Sequence, residues 1–227
     1  MILVTNGCSW TYGSDLDHLS KEEREQQVWT HDLGKLLSVE KSVNLSMGCG
    51  SNDRILRTTF DYVSNQDSET LAKSLFIIQW TEPSRYEYYV PMDRNNNQEN
   101  IESRWARCKI DVVDSPENEN STKLVRMSNY HISKTTDLQN AYKILFYAEA
   151  MSNLLKDFNV KFFYWGDLLD WSTFPKLILK RLSAHPWVDF YNLKKEYWDY
   201  ERVSAEDSHP SRNGHRQIAQ NIYRKIT

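Results

Sequence analysis

Five short apolar runs punctuate the chain: Ile2–Asn6, Val43–Met47, Leu75–Trp80, Val160–Trp165 and Trp187–Asn192. Each is rich in β-branched, aliphatic or aromatic residues and alternates little, as strands covered on both faces do. Helical spacing fills the gaps. Val28–Leu37 repeats Trp29, Leu33 and Leu36, and Ser51–Val63 repeats Ile55, Leu56, Thr59 and Tyr62. Asp137–Phe158 is the longest pattern, with Leu138, Ala141, Leu145, Ala148, Met151, Leu155 and Phe158 at steps of three and four. Ser211–Ile226 lines up His215, Ile218, Ile222 and Ile226 behind Ser211 as N-cap. Strands alternating with helices predict an α/β domain, a mostly parallel sheet covered on both sides.

One stretch breaks the alternation. Pro83 to about Thr136 is too long for an ordinary connection. It carries an Asn-rich segment, Asn95–Asn97, and an acidic polar one, Asp114–Ser121; Arg104–Val113 and Lys123–Met127 read as short strands that could pair. The stretch, about 83–136, is expected to be an insertion over the carboxyl edge of the sheet, as a lid, a surface elaboration or a contact between subunits. No repeat or domain boundary is visible, so residues 1–227 read as one domain.

Composition narrows the function. A chain of 227 residues with 40% hydrophobic and 26% charged residues suits a single globular domain with a sizeable core. A net charge of -3 gives no footprint for nucleic acid. No apolar run approaches the ~20 residues of a membrane span, and no secretory signal precedes Ile2. Cys8, Cys49 and Cys108 are odd in number and lack metal-ligand spacing, which fits a reduced, cytoplasmic protein without a metal. Neither a phosphate loop nor a dinucleotide fingerprint is present, so no cofactor is expected. The 8 Trp and 13 Tyr read first as packing residues and second as a surface for stacking sugars.

The candidate chemistry lies at the two ends. The first strand runs out at Asn6-Gly7 and delivers Cys8 and Ser9 to the edge where open α/β sheets place their chemistry. A serine hydroxyl needs a base within hydrogen-bond reach, best a histidine oriented by a third group. His209 stands on a loop just before a helix, with Asp207 two residues and Glu206 three residues ahead of it. Acyl transfer also needs donors for the developing oxyanion. The loop Gly48-Cys49-Gly50-Ser51-Asn52 after the second strand has glycines that permit positive φ and close backbone approach; it also reads as a plain strand-to-helix turn.

These blocks resemble the SGNH (GDSL-like) hydrolases. Gly7-Cys8-Ser9-Trp10-Thr11-Tyr12-Gly13 is similar to the first block, G-D-S-x-T-x-G, with cysteine in the aspartate position. Asn44 to Asn52 is similar to the second, and Asp207-Ser208-His209-Pro210-Ser211 to the last. The resemblance covers the α/β frame and leaves out Pro83–Thr136. It implies a flavodoxin-like three-layer α/β/α sandwich with a five-stranded sheet in the order 2-1-3-4-5. It also implies Ser9 as nucleophile, His209 as general base and Asp207 as its orienting acid. Oxyanion donors would be the Ser9 N–H and one from Gly48 or Cys49. Two departures stand out. Thr81 occupies the place of the third-block asparagine, for which Asn52 is the alternative donor. The family spacing puts the acid at Glu206, whereas the shorter Asp207 suits a tight loop.

Several single residues complete the picture. Cys8 reads as a small packed residue, with a reactive thiol as the rival. Arg85, and less so Arg54, could grip an anionic substrate through a bidentate fork. Asp167 after the fourth strand reads as a loop or cap residue, and His31 and His185 as structural. Together these features predict a serine esterase acting on a small acyl ester, with an O-acetylated carbohydrate as first candidate. Tyr86, Tyr88, Tyr89 and Trp105 of the insertion are available to stack on a sugar, line an acyl pocket or meet another subunit in a homo-oligomer. The alternatives are a catalytically weak binding module on the same frame and a structural protein assembling through the insertion.

Overall fold

A computed structural model of the chain describes residues 1–89, 105–109, 112–114, 126, 129–130, 134–164, 174–188, 200–204, 207 and 209–227. Its centre is a parallel sheet of β1 (Ile2–Asn6), β2 (Lys41–Asn44), β3 (Ser74–Trp80) and β7 (Asn159–Tyr164), in the order β2-β1-β3-β7. β3 is buried at every position, as its unbroken apolar run predicts. In-register pairs Val4↔Phe76 and Phe76↔Val160 tie β1, β3 and β7 together.

Successive side chains point to opposite faces and so assign the helices to two layers. On one face, Asn6, Phe76 and Trp80 meet α4 (Asn52–Ser64) and α6 (Asp137–Leu154): Asn6 Nδ2 bonds Ile55 O and Thr59 Oγ1, and Trp80 stacks on Tyr147. On the other, Phe163 packs edge-on against Trp29 of α3 (Trp29–Leu36), which lies beside α8 (Arg212–Ile226). Shorter helices α1 (Ser9–Tyr12), α2 (Lys21–Glu25), α5 (Ser68–Ala72) and α7 (Lys176–Leu182) fill the connections.

The sheet departs from expectation in three places. Four strands are described, not five. The segment expected as the fifth reaches the sheet as one parallel bridge, Phe162 to Trp187, and its residues from 189 onward lie outside the described ones. The second strand spans Lys41–Asn44, not Val43–Met47, and its first two residues are exposed at the sheet edge. Asn44 ends it: Oδ1 turns back to accept the Ser46 N–H at 3.1 Å, and Nδ2 donates to Thr11 O at 3.0 Å. The third difference is in the insertion. β5 (Trp105–Lys109) pairs antiparallel with β4 (Tyr86–Tyr89) and β6 (Val112–Asp114); of Lys123–Met127, all but Arg126 lies outside the described residues. Val112 pairs with Lys109, so the single strand expected over Arg104–Val113 is two. The Arg57–Glu87 pair, with contacts of 2.8 and 3.0 Å and a Glu87 side chain that is 1% exposed, fastens β4 to α4.

Candidate active site

The carboxyl edge of the sheet holds the residues of interest. β1 ends at Asn6, whose Oδ1 accepts the Gly7 N–H at 2.9 Å, and the chain turns at once into α1 with Ser9 as its first residue. Gly7 is obligatory here. A Cβ on it would lie 2.4 Å from Gln79 Oε1 and 2.6 Å from Thr11 Oγ1. Gln79, fully buried at the end of β3, is the hub of the turn. Its Oε1 accepts from Thr11 Oγ1 at 2.6 Å and the Cys8 N–H at 3.2 Å, which leaves Nε2 to donate to Cys8 Sγ at 3.1 Å. Ser9 Oγ also faces Cys8 Sγ, at 4.0 Å. Burial works to raise the Cys8 thiol, but the Arg85 guanidinium, the Trp10 backbone N–H and the Gln79 and Thr81 side chains outweigh it and hold it below its ordinary value.

The second-strand loop packs directly on this turn. A Cβ at Gly50 would stand 3.0 Å from Met47 O, 3.1 Å from Gly7 O and 3.6 Å from Cys8 Cα, so the glycine permits close approach of the two backbones. Left-handed backbone falls on Cys49, at φ 56°, and not on Gly48 or Gly50. A non-glycine residue there is strained by ~1–3 kcal/mol, which surrounding contacts must hold in place. Among the described residues, the backbone N–H groups of Ser9, Gly48 and Cys49 donate to no protein acceptor.

Asn52 and Thr81 are committed to each other. Asn52 Nδ2 donates to Thr81 O and its Oδ1 accepts the Thr81 N–H, both at 2.9 Å. The Thr81 side chain is fully buried, with its hydroxyl among the groups that lower Cys8. Both residues therefore brace the edge from below.

The far end of the chain is folded back over α1. Antiparallel contacts from Arg202 to Pro210, with Val203 N to His209 O at 3.0 Å, close a loop that carries Asp207 and His209. α8 starts directly after, capped by Ser211 Oγ on the Gly214 N–H at 3.1 Å. Three ties fix its position: Arg212 pairs with Asp32 of α3, His215 Nε2 meets Asp15 Oδ1 at 3.3 Å, and His215 Nδ1 faces the Trp29 N–H at 3.3 Å. Asp15 lies just beyond α1, so both ends of the chain are fastened to one corner.

Asp207 Oδ1 takes two hydrogen bonds from His209, from the backbone N–H at 2.9 Å and from Nδ1 at 2.6 Å. The backbone bond is the largest cause that holds the Asp207 carboxyl below its usual range, against the opposing effect of burial. With Nδ1 donating to a carboxylate, Nε2 is left free to accept a proton. The His209 ring meets Trp10, the residue after Ser9, edge-on with centroids 6.2 Å apart, and Trp10 meets Tyr200 at 5.7 Å. Among the described residues no hydrogen bond joins Ser9 to His209. Glu206 and Asp167 lie outside the described residues. Arg54 donates to Leu45 O at 2.8 Å, and His185 bonds Ser152 at 2.8 Å.

Sequence reasoning missed two contributors. Gln79 carried a signal, as the only amide in an apolar run. Trp10 carried none beyond its adjacency to Ser9. Among the described residues, no cluster of His, Cys, Asp and Glu could hold a metal ion, and no helix is long and apolar enough to cross a membrane.

No curated protein matches the sequence. The solved "Crystal Structure of TesA" aligns with 100% of this chain and 98% of that chain, at 12% identity and a TM-score of 0.49. Residues 13–166 match a family model described as a family of unknown function, DUF6071; the match starts after Ser9 and ends before Asp207. That span is well over half of the chain, which therefore belongs to the family of unknown function DUF6071.

Proposed function

We propose that this protein is a serine acyl hydrolase of the SGNH type, with Ser9 as nucleophile. Its substrate is a small acyl ester, with an O-acetylated carbohydrate as the first candidate. His209 takes the Ser9 proton on Nε2 as Oγ bonds the ester carbonyl carbon, and Asp207 holds the ring in the tautomer that leaves Nε2 unprotonated. The N–H groups of Ser9 and of Gly48 or Cys49 bind the oxyanion. Collapse of the tetrahedral intermediate expels the alcohol, which takes the proton from His209. Water then repeats the sequence on the acyl-enzyme and releases the acid. The observation that carries this reading is the Asp207–His209 pair set against Trp10, one residue from Ser9, at the carboxyl edge of a parallel sheet.

The decisive experiment is hydrolysis of p-nitrophenyl acetate. Ser9→Ala and His209→Ala should each lower kcat/KM by about a hundredfold or more with the fold intact by circular dichroism. A His209→Ala protein that retains the native rate removes His209 as the base.

One observation favours a second reading, a binding module on the same frame. Ser9 Oγ faces Cys8 Sγ and not the imidazole, and the Asn52 amide is taken up by the Thr81 backbone. Such a protein would bind an acylated ligand and release no product.

A further inference from the structure

The turn that leaves β3 carries an arginine, Arg85, that pairs with no carboxylate among the described residues. Its start is immobilised by the Asn52–Thr81 bonds, and the Arg85 N–H closes it on Glu82 O at 3.1 Å. Asn52 belongs to the loop whose Gly50 packs on Gly7 O and Cys8 Cα, so the turn lies against the corner that holds Ser9, and the Arg85 charge acts on Cys8 from there. Nη1 of Arg85 is buried and donates to no acceptor, and among the described residues Arg85 makes no ion pair. Asp53 accepts from Tyr147, Glu87 from Arg57 and Asp207 from His209, and Glu82 of the same turn forms no ion pair with Arg85. A guanidinium N–H withdrawn from water without an acceptor is costly, and a cysteine sulfur is a weak acceptor. An oxyanion from a ligand would meet that N–H and the charge together.

We propose that Arg85 reads an anionic group on the substrate, so that the ester cleaved at Ser9 carries a carboxylate, phosphate or sulfate on its acid or alcohol part. This inference rests on the hydrolase reading and sharpens its substrate class. Half-esters of dicarboxylic acids and acyl esters of acidic sugars fit; long neutral acyl chains do not.

The test compares matched esters. Mono-p-nitrophenyl succinate against p-nitrophenyl acetate places the charge on the acid side; 4-acetoxybenzoate against phenyl acetate places it on the alcohol side. In the wild-type protein one of the two pairs should show a higher kcat/KM for the anionic member. Arg85→Gln should lower that anionic-to-neutral ratio about tenfold or more, and Arg85→Lys should fall between, since an ammonium keeps the charge and loses the fork. A ratio that is the same in wild type and Arg85→Gln overturns the proposal, as does a wild type with no preference in either pair. If Arg85→Gln does not fold, Arg85→Lys carries the comparison. If the wild type cleaves none of the four esters, the hydrolase reading fails on its own, and calorimetric titration with succinate and with inorganic phosphate decides the anion site. Binding to wild type that is lost in Arg85→Gln supports it, and no binding to wild type overturns it.

Discussion

Asparagine at position 207 separates the charge of the acid from its geometry. A single oxygen, Oδ1, accepts both the His209 backbone N–H at 2.9 Å and Nδ1 at 2.6 Å. An amide oxygen can take the same place and keep both bonds, so Asp207→Asn removes the charge alone. Hydrogen bonds to charged groups contribute ~1.5–3 kcal/mol and neutral ones ~0.5–1.5 kcal/mol, a difference of about 1–1.5 kcal/mol. The Asp207 side chain is 44% exposed, so water and salt screen part of that. The expected loss in kcat/KM is about five- to tenfold. Asp207→Ala removes the acceptor as well, frees the ring to rotate and change tautomer, and should lose about a hundredfold or more. Both are measured with p-nitrophenyl acetate at neutral pH, on proteins shown to be folded. An Asp207→Ala rate within about twofold of wild type would refute the role of Asp207. An Asp207→Asn protein as impaired as Asp207→Ala would refute the shared-oxygen reasoning.

Three further outcomes follow from the packing. Gln79→Leu strips the acceptor from the Cys8 N–H and the Thr11 hydroxyl in a buried turn, and should lower unfolding free energy by ~2–5 kcal/mol in denaturant titration. Gly214→Ala places a Cβ 2.1 Å from Glu201 O, pushing the 201–211 loop off α8, and should cost about 2 kcal/mol with a lower melting temperature. Burial, with Arg181 adding to it and Glu149 opposing, holds His185 below the usual histidine range. The unfolded chain therefore binds more protons between that depressed value and about 6.5, and stability must rise with pH across this window. His185→Gln should flatten the slope there; an unchanged slope removes His185 as its source.

Much of the frame was legible because its elements are locally determined. The bounds of β1 are as the sequence reading has them and those of β3 differ by one residue, since runs this short, rich in β-branched and aliphatic residues and bounded by polar ones, favour covered strands over helices. α8 begins behind Ser211, the serine expected to cap it, and α4 is capped by Ser51. What failed was long-range or depended on a side chain turning the backbone. Asn44 shortens β2 through its own bonds to Ser46 and Thr11, which no periodicity reveals. The pairing of β5 with β4 was not foreseen, because antiparallel partners follow from turn geometry and Tyr86–Tyr89 reads equally well as a loop of aromatics. At the site, the sequence offered both Glu206 and Asp207 to His209, and the Asp207–His209 bond matches the argument that the shorter side chain suits a tight loop. The mutual locking of Asn52 and Thr81, 29 residues apart, was not legible, nor was the part Gln79 plays beneath Cys8.

The central claim is that Ser9 is a nucleophile activated by His209. Labelling with a fluorophosphonate, read by mass spectrometry of the digested protein, tests it most directly. The account predicts one phosphonyl adduct, on Ser9, that vanishes in Ser9→Ala and is strongly reduced in His209→Ala. A wild-type protein that takes up no label, or takes it at another residue, would contradict it.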